Sequence, residues 1–504
     1  MNKIVWFRYD LRLEDNEAFI EATKNGNVLP IFIFDENYYK LDTSSSFHLK
    51  FCEDSLKDLN QSLKNLYNSK INIYYGDTTE ILKNISKKFN ISEIYSHHVF
   101  KNNYLSKIDG KISKFFKECN IQWYLFNQFG IQLGKRDRYR WSYNWNKFIN
   151  QPVLEKRVNC NFIIDPDHNK NCAISTNFID DKLIQEGGRK NAVKLLNSFL
   201  DNRSDNYQKE MSSPITGEKS CSRLSPYITY GNISLREIYR ATKQKLNEDI
   251  SIVKKKSLIA FKSRLAWHCH FIQKLEMEPT LDYKAQNAVI DSRLNRELNE
   301  EKLEVWKAGM TGWPFFDACM RQLTSTGWIN FRMRAMMMSV ASYNLWLPWR
   351  EVGIHLATLF LDYEPGIHWS QVGMQSGTTG INTVRAYSVT KQGKDHDKNG
   401  DYIRKWIPEL RMIPTKYIHE PWKMSEEEQT NFGCRIGVDY PSPILDEKES
   451  RKEGIKKTYA ARKSPKAKEK SRAVYQKHGS RKRPRKKSSK KDNTSNGSRQ
   501  TTLF

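Results

Sequence analysis

Two arginines stand two residues apart in Phe331-Arg332-Met333-Arg334-Ala335, and on a helix that spacing gives them different work. Phe331, Arg334 and Ala335 lie at i, i+3 and i+4 and share one face, whereas Arg332 points nearly the opposite way, so the two guanidinium groups serve two surfaces. The surrounding stretch from Trp306 to Leu410 combines Arg, Trp and Met on amphipathic, helix-length segments, broken by Gly, Asp, Thr and Ser. That combination suits a large aromatic cofactor. A second stretch, Lys219-Ser220-Cys221-Ser222-Arg223-Leu224-Ser225-Pro226-Tyr227, places small hydroxyl residues just ahead of helix-forming text, where backbone N–H groups and hydroxyls can cradle a phosphate. An ordinary helix N-cap is the plainer reading of the same residues. Trp267 heads a stripe with Arg264, His268 and Phe271 at i−3, i+1 and i+4. His268, His270 and His368 form a further candidate set, although a histidine in a helical core usually has a structural partner. Met333 and Met336–Met338 read as core filler.

The elements that must position these residues divide in two. Up to about residue 130, short β-rich runs (Ile4–Phe7, Val28–Phe34, Ile71–Tyr75, Ile91–Tyr95, Ile121–Phe126) alternate with helical patterns such as Phe47–Leu66 and Asp77–Phe89, which predicts a parallel sheet wrapped by helices. No Gly-x-Gly-x-x-Gly follows the first run, so this α/β domain need not hold a dinucleotide. Residues 131–185 are polar and contain Pro152 and Pro166, and read as an interdomain connection. Residues 186–445 are helical in pattern, and 446–504 form a basic tail. The fold expected is an α/β, Rossmann-like N-terminal domain followed by an all-α domain.

The charge is unevenly spread. Residues 451–504 carry 20 Lys+Arg and 3 Asp+Glu, a net +17 out of the chain's +26, which leaves 63 basic against 54 acidic residues, or +9, before them. A basic body with a basic tail points to a polyanion such as nucleic acid. The tail is too poor in apolar residues to bury a core, and disorder is expected from 451 onward. No apolar run could span a bilayer, and the first residues lack the layout of a secretory signal. The eight cysteines form no Cys-x-x-Cys pair, which excludes an iron–sulfur or metal reading and favours an intracellular chain.

The stretch from 306 to 410 closely resembles the flavin-binding core of the photolyase and cryptochrome family. The resemblance is carried by Thr311-Gly312-Trp313-Pro314, Asp317, Met320-Arg321-Gln322-Leu323, Thr326-Gly327-Trp328, Arg332, Arg334, Trp349-Arg350-Glu351 and Ile403-Arg404-Lys405-Trp406. Phe7-Arg8, Asp10-Leu11-Arg12-Leu13 and Asp15-Asn16 resemble the opening of the family's antenna domain. The resemblance implies non-covalent FAD, a reduced anion when active, and room for a second, light-harvesting chromophore, although His97–Asp109 departs from the loop that would contact one. Its implied cofactor contacts are Tyr207, Ser222, Arg223, Leu224, Ser225, Phe331, Arg334, Asp362, Tyr363 and Glu364, with Arg334 paired to Asp362 beside the ring. Implied catalytic residues are Trp267, Arg334, Asp362, Trp349 (the middle of an electron-transfer chain) and His368. Arg264, Trp267, Arg332 and Arg385 would face DNA, and no metal is expected. Three positions depart from repairing relatives: Arg264 aligns with a glutamate, Phe331 with an asparagine and Ala335 with a methionine.

Two functions follow from that resemblance. One is a deoxyribodipyrimidine photolyase, a monomer that splits cyclobutane dimers in UV-damaged DNA with an electron from light-excited reduced FAD. The other is a blue-light photoreceptor of the cryptochrome type without repair, and a (6-4) photolyase is a variant of the first. Arg481–Lys491 reads as a nuclear-localisation signal in a eukaryote or as a DNA-binding arm at a bacterial nucleoid. Gln500-Thr501-Thr502-Leu503-Phe504 resembles the peptides with which repair proteins dock on the replication sliding clamp.

Overall fold

A computed structural model of the chain describes residues 1–135, 138–168 and 183–479. All five predicted strands form: β1 (Asn2–Phe7), β2 (Asn27–Asp35), β3 (Asn72–Gly76), β4 (Ile91–His97) and β5 (Gln122–Phe126). They pair in parallel in the order β3-β2-β1-β4-β5. Helices α1 (Glu17–Ala22), α2 (Ser46–Tyr67), α3 (Thr78–Lys88) and α4 (Asn103–Glu118) make the crossovers. The sheet is covered on both faces, which explains the unbroken apolar run of β2: Val28, Phe32 and Phe34 enter one core, while Leu29, Ile31 and Ile33 enter the other.

Two regions read as irregular from the sequence contain regular elements among their described residues. Within 131–185 lie helix α5 (Trp141–Ile149), with Trp141, Trp145 and Ile149 buried, and a short strand β6 (Asn161–Phe162) that pairs with β2. The expectation of disorder from 451 onward is corrected as far as residue 479: helices α12 (Glu447–Arg462) and α13 (Pro465–His478) pack on the body. What holds them is small-residue spacing rather than bulk. Gly454, Thr458 and Ala461 bury one side of α12, and Ala467, Val474 and His478 one side of α13. At Gly454 an added Cβ would fall 2.0 Å from the Tyr343 carbonyl oxygen, so only glycine permits that approach. The sliding-clamp peptide and Arg481–Lys491 lie outside the described residues.

Helices of the second domain used below are α6 (Ser225–Thr229), α7 (Ile252–Met277), α8 (Ala288–Leu294), α9 (Phe331–Ser339), α10 (Trp349–Leu359) and α11 (Pro365–Ser376). The domains are locked by polar contacts. Leu11 N donates to the Tyr230 carbonyl at 3.1 Å and Arg12 Nη1 to that of Gly231 at 2.9 Å. Arg236 pairs with Asp15 at 2.7 Å.

Candidate functional site

The site grows from the start of α9. Asn330 is extended, so the helix begins at Phe331, and Arg334 falls on its first turn. Its guanidinium meets the Asp362 carboxylate on both prongs, Nη1 to Oδ1 at 2.8 Å and Nη2 to Oδ2 at 3.1 Å, while Nε donates to the Ile329 carbonyl at 2.8 Å. Burial pushes the Asp362 carboxyl up, but the Arg334 charge and hydrogen bonds from Arg334 and Ser225 outweigh it and leave the group below its ordinary value. A fixed, charged Arg–Asp pair is the result.

Ser225 belongs to the hydroxyl-rich break and lies close to that pair. It opens α6, whose first N–H groups receive no side-chain cap. Arg223 is held at φ +60° with its guanidinium 4.0 Å from the Trp328 ring centre, and its Nε donates to Gln185 Oε1 at 3.0 Å. Burial lowers the Arg223 pKa to about 10, which leaves it charged at neutral pH. Leu224 is buried. Ser222 Oγ accepts weakly from Leu224 N at 3.4 Å. Tyr207 packs edge-on against Phe199 and Phe261, with centroids 5.6 and 6.0 Å away. Burial pushes its phenol pKa up, against the pull of the nearby Arg264 charge.

A third segment closes the site from Asp362 to His368. It lies against α7 because Gly366 lets the two backbones touch: a Cβ there would meet Ile272 Cα at 2.7 Å. The buried Glu364 takes Lys101 Nζ at 2.5 Å across the domain boundary, while its other oxygen has no partner among the described residues. Burial raises the Glu364 carboxyl pKa against the pull of Lys101. Trp369 Nε1 donates to the Tyr363 hydroxyl at 3.1 Å, and Trp349 stands edge-on to Trp369 with centroids 5.8 Å apart. His368 is enclosed by Phe360, Tyr363 and Trp369, with Nε2 on the Gly353 carbonyl at 2.8 Å. Burial lowers its pKa to about 4, so the ring is neutral at pH 7.

The residues expected to face DNA are distributed on the outside of this assembly. Arg264 stacks on Trp267 at 4.0 Å, Phe331 is 52% exposed at the outer end of the Arg334 face, Arg332 is half-buried and Arg385 is exposed. The three histidines do not form one set. His268 packs on Phe129 at 4.8 Å and His270 is held by Arg138, whose Nη1 takes the His270 carbonyl at 3.1 Å, so both turn away from His368. Sequence reasoning missed Lys101, Gln185 and Arg203, which donates to the Ser222 carbonyl at 3.3 Å. Lys101 and Gln185 come from the first domain and from the connection, and only the folded topology brings them here.

An uncapped helix start with two hydroxyls, near a partly buried Arg–carboxylate pair, fits a dinucleotide cofactor: the first part suits a diphosphate, the second an aromatic ring that carries charge. The layout is that of a two-domain flavoprotein. Residues 3–129 match the family DNA photolyase, and residues 261–460 match the FAD binding domain of DNA photolyase. The chain belongs to the photolyase and cryptochrome family. It is 37% identical over 273 residues to the deoxyribodipyrimidine photo-lyase of Alkalihalophilus pseudofirmus, an alignment that spans 53% of this chain and 54% of that one. It is 25% identical over 473 residues to cryptochrome DASH of Gloeobacter violaceus, with 88% and 93% of the two chains covered. In fold it is similar to a class III photolyase of Agrobacterium tumefaciens, with a TM-score of 0.80 at 23% identity over 92% of this chain and 98% of the other. No helix among the described residues is long and apolar enough to cross a membrane.

Proposed function

We infer that the chain is a light-dependent DNA repair enzyme that splits cyclobutane pyrimidine dimers. The observation that carries this reading is the two-pronged, partly buried Arg334–Asp362 pair near the hydroxyl-rich break, together with Trp267 and arginines that have no carboxylate partner among the described residues. Bound there, reduced FAD would supply the electron that cleaves the dimer in light. The chain's own residues do the rest. Ser222, Arg223, Leu224 and Ser225 hold the diphosphate, with Tyr207 behind them. Arg334 and Asp362 hold the ring side, and the charged guanidinium favours an anionic ring. Tyr363 and Glu364 close the segment behind it, and Phe331 caps the outer end. Trp267 offers a wall for an extruded base, and Arg332 and Arg385 grip phosphates. Trp349 and Trp369 give electrons a route toward the ring.

His368 argues against the (6-4) variant. With Nε2 committed to Gly353 and the pKa near 4, it holds no acidic proton at neutral pH. The photoreceptor reading rests on Arg264 in the lesion-facing stripe and on the cryptochrome relative. The cavity at the strand ends, lined by Arg8, Asp35, Tyr38, Tyr39 and Cys52, measures about 50 Å³, too small as it stands for a second chromophore. A monomer at the nucleoid, or in the nucleus of a eukaryotic host, docked on the sliding clamp by Gln500–Phe504, completes the proposal.

The deciding experiment gives the reduced protein an oligonucleotide with one defined lesion, with and without blue light. Light-dependent restoration of a cyclobutane dimer is the expected result. Repair of only the (6-4) lesion moves the assignment, and repair of neither leaves the photoreceptor.

A further inference from the structure

We propose that Arg264 selects the lesion by reading an extruded dimer through its carbonyl oxygens alone, an inference that rests on the repair reading above. The guanidinium is braced on two sides, where α7 packs against the turn that leads from Tyr207 to Met211. Its carbon lies 4.0 Å from the Trp267 ring centre. Its Nη2 is 3.9 Å from the Met211 sulfur. The Met211 carbonyl in turn accepts from Asn330 Nδ2 at 3.1 Å, and Asn330 directly precedes Phe331 and Arg332. Among the described residues no carboxylate pairs with Arg264. Beside it, Trp267 Nε1 and Asn330 Oδ1 are also buried without partners.

A braced, un-neutralised guanidinium demands acceptors. It presents five N–H donors, accepts nothing, and does not lose its charge. Each thymine ring of an extruded dimer offers two carbonyl acceptors and one N3–H donor on the edge freed from pairing. Arg264 can serve the carbonyls but cannot take the N3 hydrogen. The C4 carbonyls of two joined rings stand side by side, a match for the parallel N–H groups of a guanidinium fork. An amino group at C4, as in cytosine, would set donor against donor. The substrate class is therefore a thymine–thymine or uracil–uracil dimer, and the N3 hydrogen contributes nothing to its recognition.

The test is dark binding of the full flavin-loaded chain to three oligonucleotides: undamaged, with one thymine dimer, and with that dimer methylated at both N3 positions. The wild type should bind the methylated dimer as tightly as the plain one. Arg264→Gln should lose about 10-fold on both dimers and nothing on undamaged DNA. Arg264→Glu, which adds an acceptor, should prefer the plain dimer over the methylated one. A wild type weakened about 10-fold by N3 methylation overturns the proposal without recourse to any variant. So does an equal loss by Arg264→Gln on damaged and undamaged DNA with a salt slope lower by about one, since that marks a phosphate contact. A wild type that does not distinguish dimer from undamaged DNA removes the repair reading itself, and this inference with it.

Discussion

At the scale of single residues, the Arg334–Asp362 pair decides most. Removing one partner leaves the other, partly buried charge unpaired, at a cost of about 1–3 kcal/mol. Asp362→Ala and Arg334→Ala should therefore purify with much less FAD, checked by the flavin-to-protein absorbance ratio; full retention in both would move the ring elsewhere. Arg332→Ala and Arg385→Ala address the opposite surface. Each should lower the salt slope of dimer binding by about one per lost phosphate contact, with folding unchanged, and wild-type slopes in both would remove the proposed DNA face. Not every residue that carries the family resemblance is chemical. Asp317 accepts from Thr311 N at 2.9 Å, Thr311 Oγ1 at 2.7 Å and Gly312 N at 3.0 Å, so this part of the motif fastens a turn. A motif in the sequence does not separate such fasteners from contacts; hydrogen-bond partners do.

At the scale of elements, the aromatic path and the C-terminal helices make separate predictions. Trp349 and Trp369 are in edge contact and Trp369 is bonded to Tyr363, so Trp369→Phe should slow photoreduction of oxidised flavin by an external donor, followed at 450 nm. Dimer repair by protein reduced beforehand should be spared, and its loss with intact folding would contradict a separate refilling route. Gly454→Val should force α12 off Tyr343 at a cost of about 1–3 kcal/mol, and limited proteolysis should then cut within 447–478 first. Equal resistance to wild type would mean that the helix is held otherwise. The strands were legible because buried parallel strands are continuously apolar, as β2 is. The two C-terminal helices were not, since three or four small residues at helical spacing do not stand out against a background of lysines. The start of α9 is not legible, because nothing in Trp328-Ile329-Asn330 forbids helix until Asn330 turns its side chain to Met211. The Arg334–Asp362 pairing came from the resemblance alone; helical spacing places Arg334 on a face but cannot say what stands opposite.

For the whole molecule, acid stability follows from histidines buried as neutral rings. Burial lowers the pKa values of His48, His355 and His368 to about 4 each. The unfolded chain takes up these protons from about pH 6.5 downward while the folded one does not, so the stability present above pH 6.5 is lost as the pH falls toward 4. The melting temperature should decline through that window, before carboxylates titrate, and His355→Gln with His368→Gln should flatten the decline. A melting temperature constant from pH 7 to 4.5 would mean that these rings are protonated in the folded state.

The ion pair between Lys101 and Glu364 has an evolutionary side. Its two residues are 263 positions apart, one in each domain, and both are buried. Neither domain can be exchanged for a relative's, or made by itself, without exposing or orphaning one charge of that pair. Recombination between such genes at the domain boundary is therefore penalised unless both positions travel together, and the two halves are bound to diverge as one inherited unit rather than as interchangeable modules.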